Sequence, residues 1–194
     1  MTEPPHAPDR VVRHDGAATG VAFVRPGRDN VNGLMALRVR DDERHLIAPN
    51  PEWIAQAAHV SEAITFGVFA EKRPVGLISL IDPRLVGDDE ARAEFRPDCL
   101  WVWRLMVDRE RRGRGFGAAA IGHALRYATL SGLDAVSLTT MDAEPGNALG
   151  FYERLGFRPT GRRVDGEIEL MLATSGGGLA GEAPGRDPRD ATGP

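Results

Sequence analysis

The residues with the most chemical content lie in one short stretch, Arg112-Gly113-Arg114-Gly115-Phe116-Gly117, between an apolar run and a segment of helical periodicity. The start of a helix leaves backbone N–H groups without intrahelical acceptors and carries partial positive charge, so it binds phosphate readily. Glycines there let the main chain approach an anion closely, because no Cβ intervenes. Arg112 and Arg114 add guanidinium groups whose charge-assisted hydrogen bonds are worth about 1.5–3 kcal/mol each, and less where exposed. A diphosphate is the natural ligand. A plain strand–helix connection with solvated arginines is the bland reading of the same residues. A second is a dinucleotide site, since Gly113 to Ala118 fits G-x-G-x-x-G/A. A dinucleotide-binding strand, however, runs directly into its first glycine, whereas Asp108-Arg-Glu-Arg-Arg intervenes here, and no second βαβαβ half follows. Asp142 is the only acid suitably placed to read a ribose.

Other side chains able to do chemistry are few. Tyr152 lies in Asn147-Ala-Leu-Gly-Phe-Tyr152-Glu-Arg-Leu-Gly156-Phe157; a tyrosine beside a phenylalanine on a helix is often core with its hydroxyl tied off. His45 and His59 are lone histidines, more often surface or core than bases. Cys99 is the sole cysteine, so neither an intramolecular disulfide nor a thiolate metal cluster can form, and no ligand spacing suggests a metal. The acids Asp82, Asp88, Asp89, Glu90 and Glu94 fall in one polar stretch that could collect a cationic acceptor, although charged loops are usually just solvated.

These residues need elements to hold them. Val21–Val24 reads as a strand closed by Arg25-Pro26-Gly27. Asn30 is placed to cap a helix to about Val39, and Pro51 to open a second carrying Trp53, Ile54, Ala57 and Val60. Thr65–Ala70 and Val75–Ile81 read as a hairpin, followed by a long loop from Asp82 to Asp98. Leu100–Val107 is apolar enough for a central strand covered on both faces. Phe116–Leu130 carries Ile121, Ala124, Leu125 and Ala128 at helical spacing and stops at Gly132. Ala135–Thr139 is the next strand, a short helix covers about Asn147–Leu155, and Phe157–Gly161 and Glu167–Ala173 flank an Asp165-Gly166 turn. The order predicts an α/β protein, a mixed sheet around one βαβ unit.

Arg112-x-x-Gly115-x-Gly117 after a strand ending Leu105-Met-Val-Asp resembles the acyl-CoA motif of the GCN5-related N-acetyltransferase (GNAT) family, and Asn147 to Phe157 is similar to that family's second motif. The resemblance covers nearly all of 19–173. It implies a GNAT-like mixed, largely antiparallel sheet flanked by helices, with the βαβ unit binding acetyl-CoA as co-substrate. By resemblance, the main chain of Leu105, Met106 and Val107 pairs with pantetheine, and the amides of Arg112, Gly113, Arg114, Gly115, Phe116 and Gly117 hold the pyrophosphate. Asn147 then approaches the pantetheine arm, a helix cap being its other reading, and Tyr152 donates a proton to the departing thiolate. A phenol with a pKa near 10 suits that role. Asn30-Val-Asn-Gly-Leu-Met, Trp103-Arg-Leu-Met-Val-Asp and Arg158-Pro-Thr-Gly-Arg-Arg resemble the bacterial spermine/spermidine (diamine) acetyltransferase-like group, which implies a small-molecule amine acceptor. Trp103 stands where many relatives carry a carboxylate; it is either packing or an aromatic wall for a cation. That departure keeps a second possibility open, a non-catalytic acyl-CoA-binding module of the same fold.

Composition sets the outer limits. With 42% hydrophobic and 27% charged residues, the chain has the balance of a folded protein. A net charge of −4 and a pI near 5.8 give no basic face for nucleic acid. No apolar run is long enough to span a bilayer, and the N-terminus lacks a signal-peptide pattern, so a cytoplasmic protein is expected. Residues 1–18 and the Gly- and Pro-rich 174–194 read as flexible tails around one domain, 19–173. Oligomeric state is left open, a homodimer being compatible with the sequence.

Overall fold

The computed structural model describes the main chain of residues 12–13 and all of residues 20–86 and 95–174. Eight strands form one sheet: β1 (Val12–Arg13), β2 (Val21–Val24), β3 (Ala63–Ala70), β4 (Arg73–Ile81), β5 (Cys99–Val107), β6 (Ala135–Thr140), β7 (Arg158–Val164) and β8 (Glu167–Ala173). Their spatial order is β1-β2-β3-β4-β5-β6-β8-β7. Every neighbouring pair is antiparallel except β5 and β6. That single parallel pair is joined through α3 (Phe116–Leu130), as a parallel connection requires. The mixed, largely antiparallel sheet with a central βαβ unit is therefore the architecture present.

Helices cover both faces. On one, Ile121, Ala124 and Ala128 of α3 pack against Ile78, Leu80, Leu100 and Val136 of the sheet, with Tyr152 and Phe157 from the second motif. On the other, α1 (Val31–Ala36) and α2 (Asn50–Ala58) set Leu34, Leu37 and Trp53 against Leu77 and Met106. Trp53 is fully buried and its Nε1 donates to Ser79 Oγ (2.7 Å), which also bonds Thr65 Oγ1 (2.6 Å). Indole, hydroxyl and hydroxyl thus satisfy one another where strands β3 and β4 meet α2. Trp53→Ala opens a cavity beneath Met106 and removes this donor; a loss of about 3–5 kcal/mol in denaturant unfolding is expected.

The long loop expected from Asp82 begins with a single 3-10 turn at Pro83–Leu85, and residues 87–94 lie outside the described residues. Asp82 is buried there. Hydrogen bonds from Arg84 hold its carboxyl below the usual range, and Tyr127 Oη donates to it (3.0 Å). So Asp82 anchors this segment to α3. Most of both expected tails also lies outside the described residues. Within them, Val12–Arg13 pairs with Ala22–Phe23, and Thr174 is buried with its hydroxyl donating to Leu133 O (3.1 Å) and Asp134 O (2.9 Å). No helix among the described residues is long and apolar enough to cross a membrane.

Candidate active site

The site follows from one irregularity in β5. Its pairing with β4 runs Ile78↔Leu105 and Ser79↔Arg104, then shifts, so that Leu80 meets Val102 and Trp103 is left as the extra residue. A bulge of this kind bends a strand and raises its twist. On the other edge, β5 pairs with β6 only through Cys99↔Ala135, Leu100↔Val136 and Trp101↔Ser137, although β5 runs to Val107 and β6 to Thr140. The two parallel strands therefore part. The main-chain groups of residues 102–107 on that edge have no ladder partner, and a cleft of about 630 Å³ opens between them.

The glycine-rich turn closes one end of this cleft. Asp108 fixes its approach: the carboxylate accepts from Arg38 N (2.9 Å) and Glu110 N (3.0 Å), while the carbonyl accepts from Arg111 N (2.8 Å). Gly115 then takes φ +79, a left-handed conformation that other residues adopt only under strain, and α3 begins. The first helical hydrogen bond is Ala119 N to Gly115 O (2.9 Å). The amides of Gly115, Phe116, Gly117 and Ala118 meet no acceptor among the described residues. Four consecutive free donors at the positive end of a 15-residue helix make a built anion cradle. The two motifs touch here, because a Cβ on Gly117 would come within 3.0 Å of the Phe151 ring.

Of the residues expected from the sequence, Leu105, Met106, Val107, Arg112, Gly113, Gly115, Phe116, Gly117, Asn147 and Tyr152 all line this cleft. Arg114 is exposed and does not. Arg112 is engaged elsewhere: its guanidinium forms a two-pronged ion pair with Glu43, a buried carboxylate from the turn Asp41–Glu43. Positive charge for a ligand thus comes chiefly from the helix start rather than from these two arginines. Glu43 and Arg112 should couple. In a cycle of Glu43→Gln, Arg112→Gln and the double variant, each single change leaves one partner stranded, and an interaction of about 1 kcal/mol is expected from denaturant unfolding. Arg112 is partly exposed, which keeps that figure modest.

Asn147 spends its side chain locally. Its amide donates to Glu144 O (2.7 Å) and its oxygen accepts from the N–H of Leu149 (3.0 Å), the first residue of α4 (Leu149–Arg154). Tyr152 is buried, its ring edge-on to Phe151 (5.0 Å between centroids) and Phe157 (5.6 Å). No described residue bonds its hydroxyl. Burial, and then the charge of Glu167, raise its pKa well above the ordinary phenol value. At neutral pH it is a protonated donor facing the cleft.

The remaining candidates lie apart. Asp142 pairs with Arg163, whose hydrogen bond lowers its pKa, so it is not free to read a ribose. His45 is half-exposed with Glu144 4.0 Å away, and His59 ends α2 in solvent. Burial pushes the Cys99 thiol up to about 12, which makes it unreactive. No group of three or more His, Cys, Asp and Glu side chains suited to a metal occurs among the described residues. Trp103 packs beside Ala63, Ile81 and Trp101, and the cation on its ring is the protein's own Arg104, 4.4 Å from the centroid. Glu43, Arg104 and Glu167 line the cleft without having been singled out by the sequence. Nothing in the acidic run Asp41-Asp42-Glu43 distinguishes the one member that turns inward.

A split parallel strand pair beside an uncapped helix start leaves main-chain donors at one end of the cleft and an open strand edge along its side. The chain belongs to the acetyltransferase (GNAT) family, whose model matches residues 31–157. It is similar to human N-acetyltransferase 8B, 32% identical over 93 residues, which is 48% of this chain and 37% of that protein. The chain therefore spans well under half the length of that curated relative. Among solved structures, the PaiA N-acetyltransferase of Thermoplasma acidophilum, in complex with coenzyme A, superposes with a TM-score of 0.57 at 12% identity over 80% of this chain and 99% of that one. A spermidine N-acetyltransferase chimera of Vibrio cholerae and hSSAT gives 0.56 at 19% identity over 81% and 98%. At such identities these structures speak for the fold alone.

Proposed function

We propose that the protein is an acetyl-CoA-dependent N-acetyltransferase that transfers an acetyl group to a primary amine of a small molecule by direct attack on the thioester. The observation that carries this reading is the run of unpartnered amides from Gly115 to Ala118, opening into the same cleft as the unpaired edge of β5. Those amides, with the turn from Arg112, would hold the diphosphate. The main chain of Leu105, Met106 and Val107 would pair with the pantetheine amides. Asn147 keeps the facing loop in place while lining the arm's path. Coenzyme A supplies an acyl group already activated as a thioester, so the protein's task is alignment, which can be worth about 7–11 kcal/mol. The amine lone pair forms the new C–N bond as the C–S bond breaks; the nitrogen gives up its extra proton to water, while Tyr152 donates a proton to the departing sulfur and regains it from solvent.

The diamine-acetyltransferase-like resemblance in the sequence makes polyamines and diamines one arm of the acceptor panel. The decisive assay follows free thiol release from acetyl-CoA across amines of varied charge, beside calorimetry with coenzyme A. Binding in the micromolar range together with amine-dependent release is expected. Binding without release by any amine would leave the non-catalytic module, the reading that Trp103 in place of a strand carboxylate favours. Absence of binding would remove both.

A further inference from the structure

We propose that Arg104 is a receptor for a carboxylate on the acceptor, so that the preferred substrates are amino acids rather than simple amines or diamines. This rests on the N-acetyltransferase reading of the cleft and on the surroundings of Arg104. Arg104 lines the cleft from β5, three residues before Val107. At about 3.3 Å per residue this puts it roughly 10 Å along the strand from the end that leads to the phosphate cradle. It is therefore placed for the reacting end of the cleft rather than for the diphosphate.

Its state is unusual. The guanidinium lies over the Trp103 ring, and Nη1 is shut off from solvent with no hydrogen-bond partner. Among the described residues no carboxylate forms an ion pair with it. Glu52 of α2 contributes charge from a distance, but its carboxylate takes a hydrogen bond from Gln56 (3.2 Å) and stays outside ion-pair reach. Arg112, by contrast, has Glu43. Proteins rarely leave a shielded charged donor unmet, because the desolvation goes uncompensated. Nη1 itself is closed to the cleft, but the residue is only partly buried, so the Nε–Nη2 edge of the same fork is the part that a ligand can meet.

The chemistry of that ligand follows from the fork. A guanidinium offers paired, coplanar N–H groups that match the two oxygens of a carboxylate. A diamine would instead bring a second positive charge beside one that is already poorly solvated, and like charges at such range repel. Trp103, the candidate wall for a cationic acceptor, already carries Arg104.

The test uses matched pairs that differ only in the carboxylate: phenylalanine and phenethylamine, lysine and cadaverine, 4-aminobutyrate and propylamine. For at least one pair, kcat/KM should favour the acid by thirtyfold or more in the wild-type protein. Arg104→Gln should abolish that preference with the KM for acetyl-CoA unchanged, and Arg104→Lys, which keeps charge but not the fork, should restore only part of it. A second readout needs no turnover: calorimetry of the coenzyme A-saturated protein with N-acetylphenylalanine against N-acetylphenethylamine. Tenfold or tighter binding of the acid, lost in Arg104→Gln, supports the receptor even if no amine is acetylated, in which case only the N-acetyltransferase reading falls. Equal binding of the two, or decarboxylated amines turned over as well as the acids, overturns it.

Discussion

Tyr152→Phe should lower kcat at least tenfold while leaving coenzyme A affinity and thermal stability close to wild type. The ring sits in a pocket of aromatic neighbours that a phenylalanine fills equally well. Its hydroxyl has no partner among the described residues, so deleting it strands no buried group. Stability therefore has little reason to change, and a fall in rate is assigned to the lost proton. General acids contribute about 10²–10⁴-fold where proton transfer limits the reaction; tenfold is the floor expected when thiolate departure is only partly limiting. The ionisation of the phenol adds a second check. Burial first, and the negative charge of Glu167 second, disfavour the phenolate and raise the pKa. An acid whose pKa is raised keeps its proton to higher pH, so no alkaline loss of rate below the ordinary phenol pKa should trace to Tyr152. Steady-state rates from pH 6 to 9.5 measure this: the variant's profile should run parallel to the wild-type one, only lower. An unchanged kcat would return Tyr152 to the role of packing.

What was legible in the sequence was whatever has a local cause. Helix α3 runs from Phe116 to Leu130 as read, because its apolar stripe and two bounding glycines are local features. β5 was evident as a run too apolar for one exposed face, and the βαβ order fixed its parallel partner. The first helix stops at Ala36, short of the expected Val39, because Asn50 Nδ2 donates to Leu34 O (3.1 Å) and Leu37 O (3.0 Å) and holds an extended segment there. That cap comes from sixteen and thirteen residues away. β7 extends to Val164 where the sequence ended it at Gly161, carried on by its pairing with β8. In the candidate site, the pattern marked the glycine-rich turn but not its electrostatics. Whether Arg112 faces a ligand or a carboxylate depends on Glu43, sixty-nine residues distant. The bulge at Trp103 likewise belongs to the register between two strands, which single-strand periodicity does not encode.

The fold contains a matched control that separates bare main chain at the helix start from the strain that glycine relieves there. Gly115 (φ +79) starts α3 and Gly132 (φ +70) follows its end, and a Cβ at either would meet nothing within 4 Å. Alanine in a left-handed conformation costs about 1–2 kcal/mol, so Gly115→Ala and Gly132→Ala should lose similar stability in denaturant unfolding. Gly115 carries the first of the four free amides, whereas Gly132 lies beyond the opposite end of the helix. Coenzyme A affinity measured by calorimetry should therefore fall at least thirtyfold in Gly115→Ala and stay within twofold of wild type in Gly132→Ala. Dephospho-coenzyme A, which keeps the diphosphate and lacks the ribose 3′-phosphate, should show the same contrast, because the affected contact is the diphosphate's. Equal losses in the two variants would mean that the glycine serves the backbone alone, and the anion would have to be held by side chains such as Arg111 and Arg112.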